Sequence, residues 1–226
     1  MKKLIPLALL LLTACNPGST SSEASQHSED SNHSPDRTRV AAPDTAPAGS
    51  VSPAPAPVAG SSMTELMQRN MQQMMDAPSR GNNDQDFAAQ MRIHHQGAVD
   101  MAQLELAQGK DEQLRSMAQQ IVQGQQAEIA QFDRYLAGNP PAGAQPGSFY
   151  QAAHGSMQHP ASAAGGSVDE QFARLMIPHH QSGIQMAEQY RQMGKDAALK
   201  QIAGAIITAQ QKEIATLEAW LKQHSN

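Results

Sequence analysis

The chain has 226 residues, room for one large or two small domains, and only 4% of them are aromatic, so a core must be filled by aliphatic side chains and methionine. Its formal charge is −5, and −7 once Lys2 and Lys3 are removed, which argues against a nucleic-acid partner because phosphate binding relies on basic patches. Cys15 is the single cysteine, so disulfides and thiolate metal sites are excluded from the rest of the chain.

Lys2 and Lys3 precede the apolar run from Leu4 to Leu12, which is too short to span a bilayer and reads as a secretory signal over residues 1–14. Leu12, Thr13, Ala14 and Cys15 resemble a bacterial lipobox, which would make Cys15 the lipidated first residue of a mature, membrane-anchored protein of the cell envelope, facing the periplasm or the exterior. From Asn16 to Ser62 there is no Leu, Ile, Met, Phe, Tyr or Trp, and Pro53, Pro55 and Pro57 favour extended backbone. Such a segment cannot bury enough apolar surface to offset its ordering entropy, so residues 15–62 read as a disordered tether. His27 and His33 within it read as solvated polar residues.

Folded sequence is expected from Met63, where Met63, Met67, Met71 and Met74 recur at helical spacing, with Met75 beside them, in a short helix ending before Pro78. Asn82, Asn83 and Asp84 supply an N-cap for a second helix from about Asp84 to Gln108, stopped by Gly109. Asp111 can cap a third helix through Leu136, ended by Gly138, Asn139, Pro140 and Pro141. The pattern then recurs: a degenerate helix from Ser148 to His159, a long helix from Val168 to Met193, and another from Asp196 to His224. Residues 63–140 form a first repeat, 141–167 a linker and 168–226 a second repeat. With no alternating strand pattern, the fold class is all-α: two helical hairpins in a four-helix bundle with pseudo-two-fold symmetry, plus the short methionine helix.

The repeat is a tandem duplication with a constant offset of 85 residues. Phe87, Met91, His94, His95, Gln96, Met101 and Ala102 recur as Phe172, Met176, His179, His180, Gln181, Met186 and Ala187. The Gly109-Lys110-Asp111 turn recurs as Gly194-Lys195-Asp196, and Gln125, Gln126, Glu128 and Ile129 as Gln210, Gln211, Glu213 and Ile214. On a helix, residues seven apart lie within about 20° of each other, so Met91, His94, His95 and Met101 share a broad face, as do their copies. Adjacent histidines diverge by about 100°. Either both enter one site at the bundle's margin, or one ligates while its neighbour packs or bonds elsewhere.

Imidazole nitrogen with thioether sulfur, and no thiolate, suits copper, and Cu(I) above zinc, calcium or iron. A di-iron centre would want several carboxylates and a Glu-x-x-His pairing that the repeated histidines lack. Glu128 and Glu213 either receive an imidazole N–H and orient the ring, or stay on the helix surface. Taken singly, each histidine reads as a core residue and each methionine as flexible filling; two copies of the whole block favour metal. Pro178, just before His179, either kinks its helix or marks a helix start nearby. His154, Met157 and His159, in the Gly-, Ala- and Ser-rich linker, are candidates for a weaker accessory site.

These blocks, Met91 to Ala102 with Gln125 to Ile129 and Met176 to Ala187 with Gln210 to Ile214, resemble the bacterial family called domain of unknown function 305. The resemblance spans about residues 63 to 224. It implies a ferritin-like fold and an exported protein that binds copper and supports copper tolerance. Carried over residue by residue, it implies Met91, His94, His95, Met101, Met176, His179, His180 and Met186 as copper ligands. Arg92 and Ile93 stand where the family has Ile-Pro, and Gln185 stands opposite Asp100, so the two copies need not be equivalent. The expected function is a non-enzymatic, membrane-tethered copper protein that buffers periplasmic copper or passes it to copper-trafficking proteins. The competing readings are a ferritin-like metal-dependent oxidase and a metal-free helical interaction module.

Overall fold

Side-chain caps set where the helices begin. Ser62 and Glu65 close a capping box at the start of α1 (Met63–Asp76). Asn82 accepts the Gln85 amide at the start of α2 (Asn83–Gln108), and Asp111 accepts that of Leu114 at the start of α3 (Glu112–Gly138). The short α4 (Ser148–Ser156) is pinned by Asn83, whose side-chain oxygen accepts the Phe149 amide at 3.0 Å. Ser167 caps α5 (Val168–Met193) through Glu170, and Asp196 caps α6 (Ala197–His224) through Leu199. These are the elements of a computed structural model that describes residues 61–143, 145–156 and 165–224. The signal segment, Cys15, the tether with His27 and His33, and Met157 and His159 lie outside the described residues. Among the described residues helix is the only regular structure, so the fold is all-α, and no helix is long and apolar enough to cross a membrane.

Helices α2 and α3 pack as one hairpin and α5 and α6 as the other, each joined by its Gly-Lys-Asp turn. The hairpins meet mainly through α2 and α5, while α3 and α6 scarcely touch, and α1 and α4 each lie across both central helices. Two hydrophobic clusters divide the interior. One gathers Met63, Leu66, Met101, Met176, Leu217 and Trp220; the other gathers Met91, Met186 and an aromatic group in which Phe87 stacks on Tyr190 at 3.9 Å with Phe132 and Phe149 edge-on. Met91 thus shares a cluster with Met186, and Met101 with Met176, so α2 and α5 run antiparallel. The histidine blocks fall between the two clusters.

Three local features differ from the sequence-based expectation or settle it. The buried stripe of α1 is Met63, Leu66, Asn70 and Met74, with Met67 and Met71 half-buried and Met75 45% exposed, because α1 turns Asn70 rather than a methionine toward the histidines. Pro178 lies ten residues inside α5, so no helix starts there. Gly109 and Gly194 end their helices in extended backbone, with φ −64° and −74°, not in the left-handed conformation common at helix ends. What demands glycine is space: a Cβ would come within 2.2 Å of Glu105 Oε1 at Gly109, and within 2.2 Å of Tyr190 Cε2 at Gly194.

Candidate metal centre

All four repeated histidines are buried, none more than 3% exposed. Of the two arrangements open at the sequence level, neighbours diverge. His94 on α2 and His179 on α5 face each other across the central seam with ring centroids 3.9 Å apart. His95 and His180 turn instead into their own hairpins, where Nε2 of His95 lies 2.8 Å from Glu128 Oε2 on α3 and Nε2 of His180 lies 2.8 Å from Glu213 Oε2 on α6. The His95 contact is an aligned hydrogen bond; the His180 contact has the distance without the alignment. Glu128 and Glu213 therefore stand against the rings, not on the free helix surface.

The partners of the rings dictate their tautomers. Nε2 of His94 lies 3.0 Å from the His179 carbonyl, which can only accept, so this nitrogen carries the hydrogen. Ser182 Oγ donates to the same carbonyl at 2.8 Å and accepts from His94 Nε2 at 2.9 Å. Nε2 of His179 lies 3.3 Å from Asn70 Oδ1, and the Asn70 amide is oriented by donation from Nδ2 to the Ile93 carbonyl at 2.6 Å. At His95 the carboxylate likewise requires an N–H. The opposite nitrogen, Nδ1, is buried and without a hydrogen-bond partner in all four rings. Burial, reinforced by the neighbouring imidazoles, holds His94 and His179 well below the ordinary histidine pKa, so both rings are neutral at neutral pH.

A neutral imidazole with its hydrogen on Nε2, held by a carboxylate or carbonyl, presents an Nδ1 lone pair as a metal donor. His94, His95 and His179 have this form, and Nδ1 of His180 is equally buried and unpaired; nitrogens of this kind are the donors that soft or borderline metal ions take. Among the described residues no group of three or more His, Cys, Asp or Glu side chains is arranged to hold an ion. A metal held by these rings would therefore draw on other donors, and the thioethers are at hand: Met91, Met101, Met176 and Met186 are all buried in the clusters flanking the histidines. Each repeat sends one methionine to each cluster, so the two copies interleave.

His154 sits on α4 with its ring stacked on Tyr150 at 4.0 Å and its Nε2 3.3 Å from Gln90, one turn before His94. Burial lowers its pKa. Asn70 and Ser182, both in contact with the central rings, are absent from the sequence-based candidates. Asn70 had left one signal, a polar residue in register with the apolar positions of α1.

This chain belongs to the family described as domain of unknown function (DUF305), which matches residues 20–136 and 140–221. Solved structures share its fold. CopM in a silver-bound form is 27% identical, with a TM-score of 0.51 over 63% of this chain and 98% of that one. CopM in a Cu(II)-bound form is 27% identical, with a TM-score of 0.50 over 62% and 98%. A DUF305 fragment from Deinococcus radiodurans is 28% identical, with a TM-score of 0.50 over 62% and 96%. No curated protein matches the chain.

Proposed function

We propose that this protein binds copper, preferentially Cu(I), through the Nδ1 atoms of His94, His95, His179 and His180 and the thioethers of Met91, Met101, Met176 and Met186, and that it buffers or hands on copper in the cell envelope while anchored by lipid at Cys15. The observation that carries the reading is the set of four buried imidazoles with Nε2 at an acceptor and Nδ1 unpaired. The silver- and Cu(II)-bound forms of CopM support it from outside the chain. Thioether donors favour Cu(I), whereas zinc seeks His, Cys and carboxylate sets, and no three such side chains converge among the described residues. Rings at most 3% exposed admit an ion and little else, which suits a carrier better than an enzyme with an organic substrate.

The test is a competitive titration of the full chain with Cu(I) and with Zn(II). Cu(I) is expected to bind more tightly, and replacing His94, His95, His179 and His180 together with Gln should lower copper stoichiometry while circular dichroism keeps most of its helical signal. Loss of helicity with unchanged copper per folded molecule would make the histidines structural. For the anchor, Cys15→Ala should release the protein from the membrane fraction or block its processing; unchanged retention would contradict the lipobox.

A further inference from the structure

We propose that Asn70, on α1, is a positioning residue for the imidazole layer: its amide oxygen fixes His179 as the Nε2–H tautomer, as the His179 carbonyl and the Ser182 hydroxyl bonded to it do for His94. The consequence for metal, that the His179 Nδ1 lone pair stays free to ligate, rests on the copper reading; the tautomer assignment does not.

The repeat breaks at one position beside these rings. The 85-residue offset pairs His94 with His179 and Gly97 with Ser182. In the second copy Ser182 supplies an oxygen that accepts from His94 Nε2 at 2.9 Å. Strict symmetry would have residue 97 serve His179 in the same way, but Gly97 has no side chain to do so. The Asn70 carboxamide fills that place: a Cβ built on Gly97 would lie 2.2 to 2.6 Å from Asn70 Cγ, Oδ1 and Nδ2. Its Nδ2 donates to the Ile93 carbonyl at 2.6 Å, which leaves Oδ1 toward His179 Nε2 at 3.3 Å. Asn70 is 4% exposed, amid Met63, Leu66 and Met74 on the buried stripe of α1, where an amide is costly to bury unless its bonds are satisfied. Glycine in one copy and an incoming asparagine thus solve together what one serine solves in the other.

The experiment uses the full chain and reads histidine ring nitrogens by long-range 15N–1H correlation without metal, then Cu(I) affinity by competition. Asn70→Ala should give His179 a substantial Nδ1–H population and weaken Cu(I) binding by about 10-fold or more, the range found when a partner orienting a ligating histidine is removed. Adding Gly97→Ser to Asn70→Ala transplants the second copy's arrangement into the space vacated and should restore both the tautomer and the affinity. Asn70→Asp, with its proton on the oxygen that faces the Ile93 carbonyl, keeps the acceptor toward His179 and should keep the tautomer, which preserves a readout if the alanine variant folds poorly. If Asn70→Ala lowers only thermal stability, with the His179 tautomer unchanged, Asn70 is merely an anchor for α1 and the proposal fails. If the tautomer shifts and returns as described while Cu(I) affinity never moves, the positioning role stands and ligation by His179 Nδ1 is what fails.

Discussion

At the scale of single residues, the central seam is close-packed around the histidine rings. A Cβ on Gly183 would lie 2.5 Å from Gln210 Oε1 and 2.9 Å from His94 Cε1, so even one methyl must displace a ring held on three sides. Gly183→Ala is therefore expected to destabilise the protein by about 1–3 kcal/mol, as overpacked cores do, and to weaken metal binding along with it. Denaturant melts check the first and Cu(I) competition the second; the same change at Gly204, where an added Cβ meets nothing within 4 Å, should do neither. The histidines and methionines were legible in the sequence because duplication repeats them at a fixed offset. What each ring faces was not. The direction of His94 toward His179, and of His95 toward Glu128, depends on how the helices dock, and Asn70 sits on the methionine helix, whose second copy is degenerate and has Gly155 at that offset, so no repeated residue links it to the rings.

At the scale of elements, the two hairpin ends are built alike but with different chemistry. Asp84 accepts the Lys195 and Asp196 amides and the Tyr190 hydroxyl; its counterpart Asp169 accepts the Lys110 and Asp111 amides, and Glu105 stands where the second copy has Tyr190. Burial first, then the charges of Asp169 and Asp111, push the Glu105 pKa up to about 8, while Arg115 opposes this. A carboxyl whose pKa is raised on folding contributes stability that is complete below its unfolded value of about 4.5 and is lost as pH rises through about 8. Thermal melts should accordingly show stability falling from about pH 4.5 to about pH 8 and levelling above that, and Glu105→Gln, which donates without titrating, should flatten that fall. An equal fall in the variant would place the alkaline-sensitive group elsewhere. The helices themselves were readable, since caps at Asp111 and Asp196 and the stops at Gly109 and Gly194 mark them, but the extended glycines were not: their need for space arises from Glu105 and Tyr190 folding beneath them.

At the scale of the whole molecule, duplication places two copies of one histidine-methionine block on antiparallel helices, so the copies meet at their histidines and exchange their methionines between two clusters. One buried layer is thereby made from both repeats, with α1 closing one part of it through Asn70. On the proposed function, this layer holds Cu(I) with nitrogen and sulfur donors together. X-ray absorption at the copper edge of the Cu(I)-loaded full chain tests it most directly. The account predicts a shell containing both imidazole nitrogen and thioether sulfur, with the nitrogen scattering lost when His94, His95, His179 and His180 are replaced by Gln. A shell of sulfur alone, unchanged by those replacements, would contradict it and leave the metal to methionines without histidine.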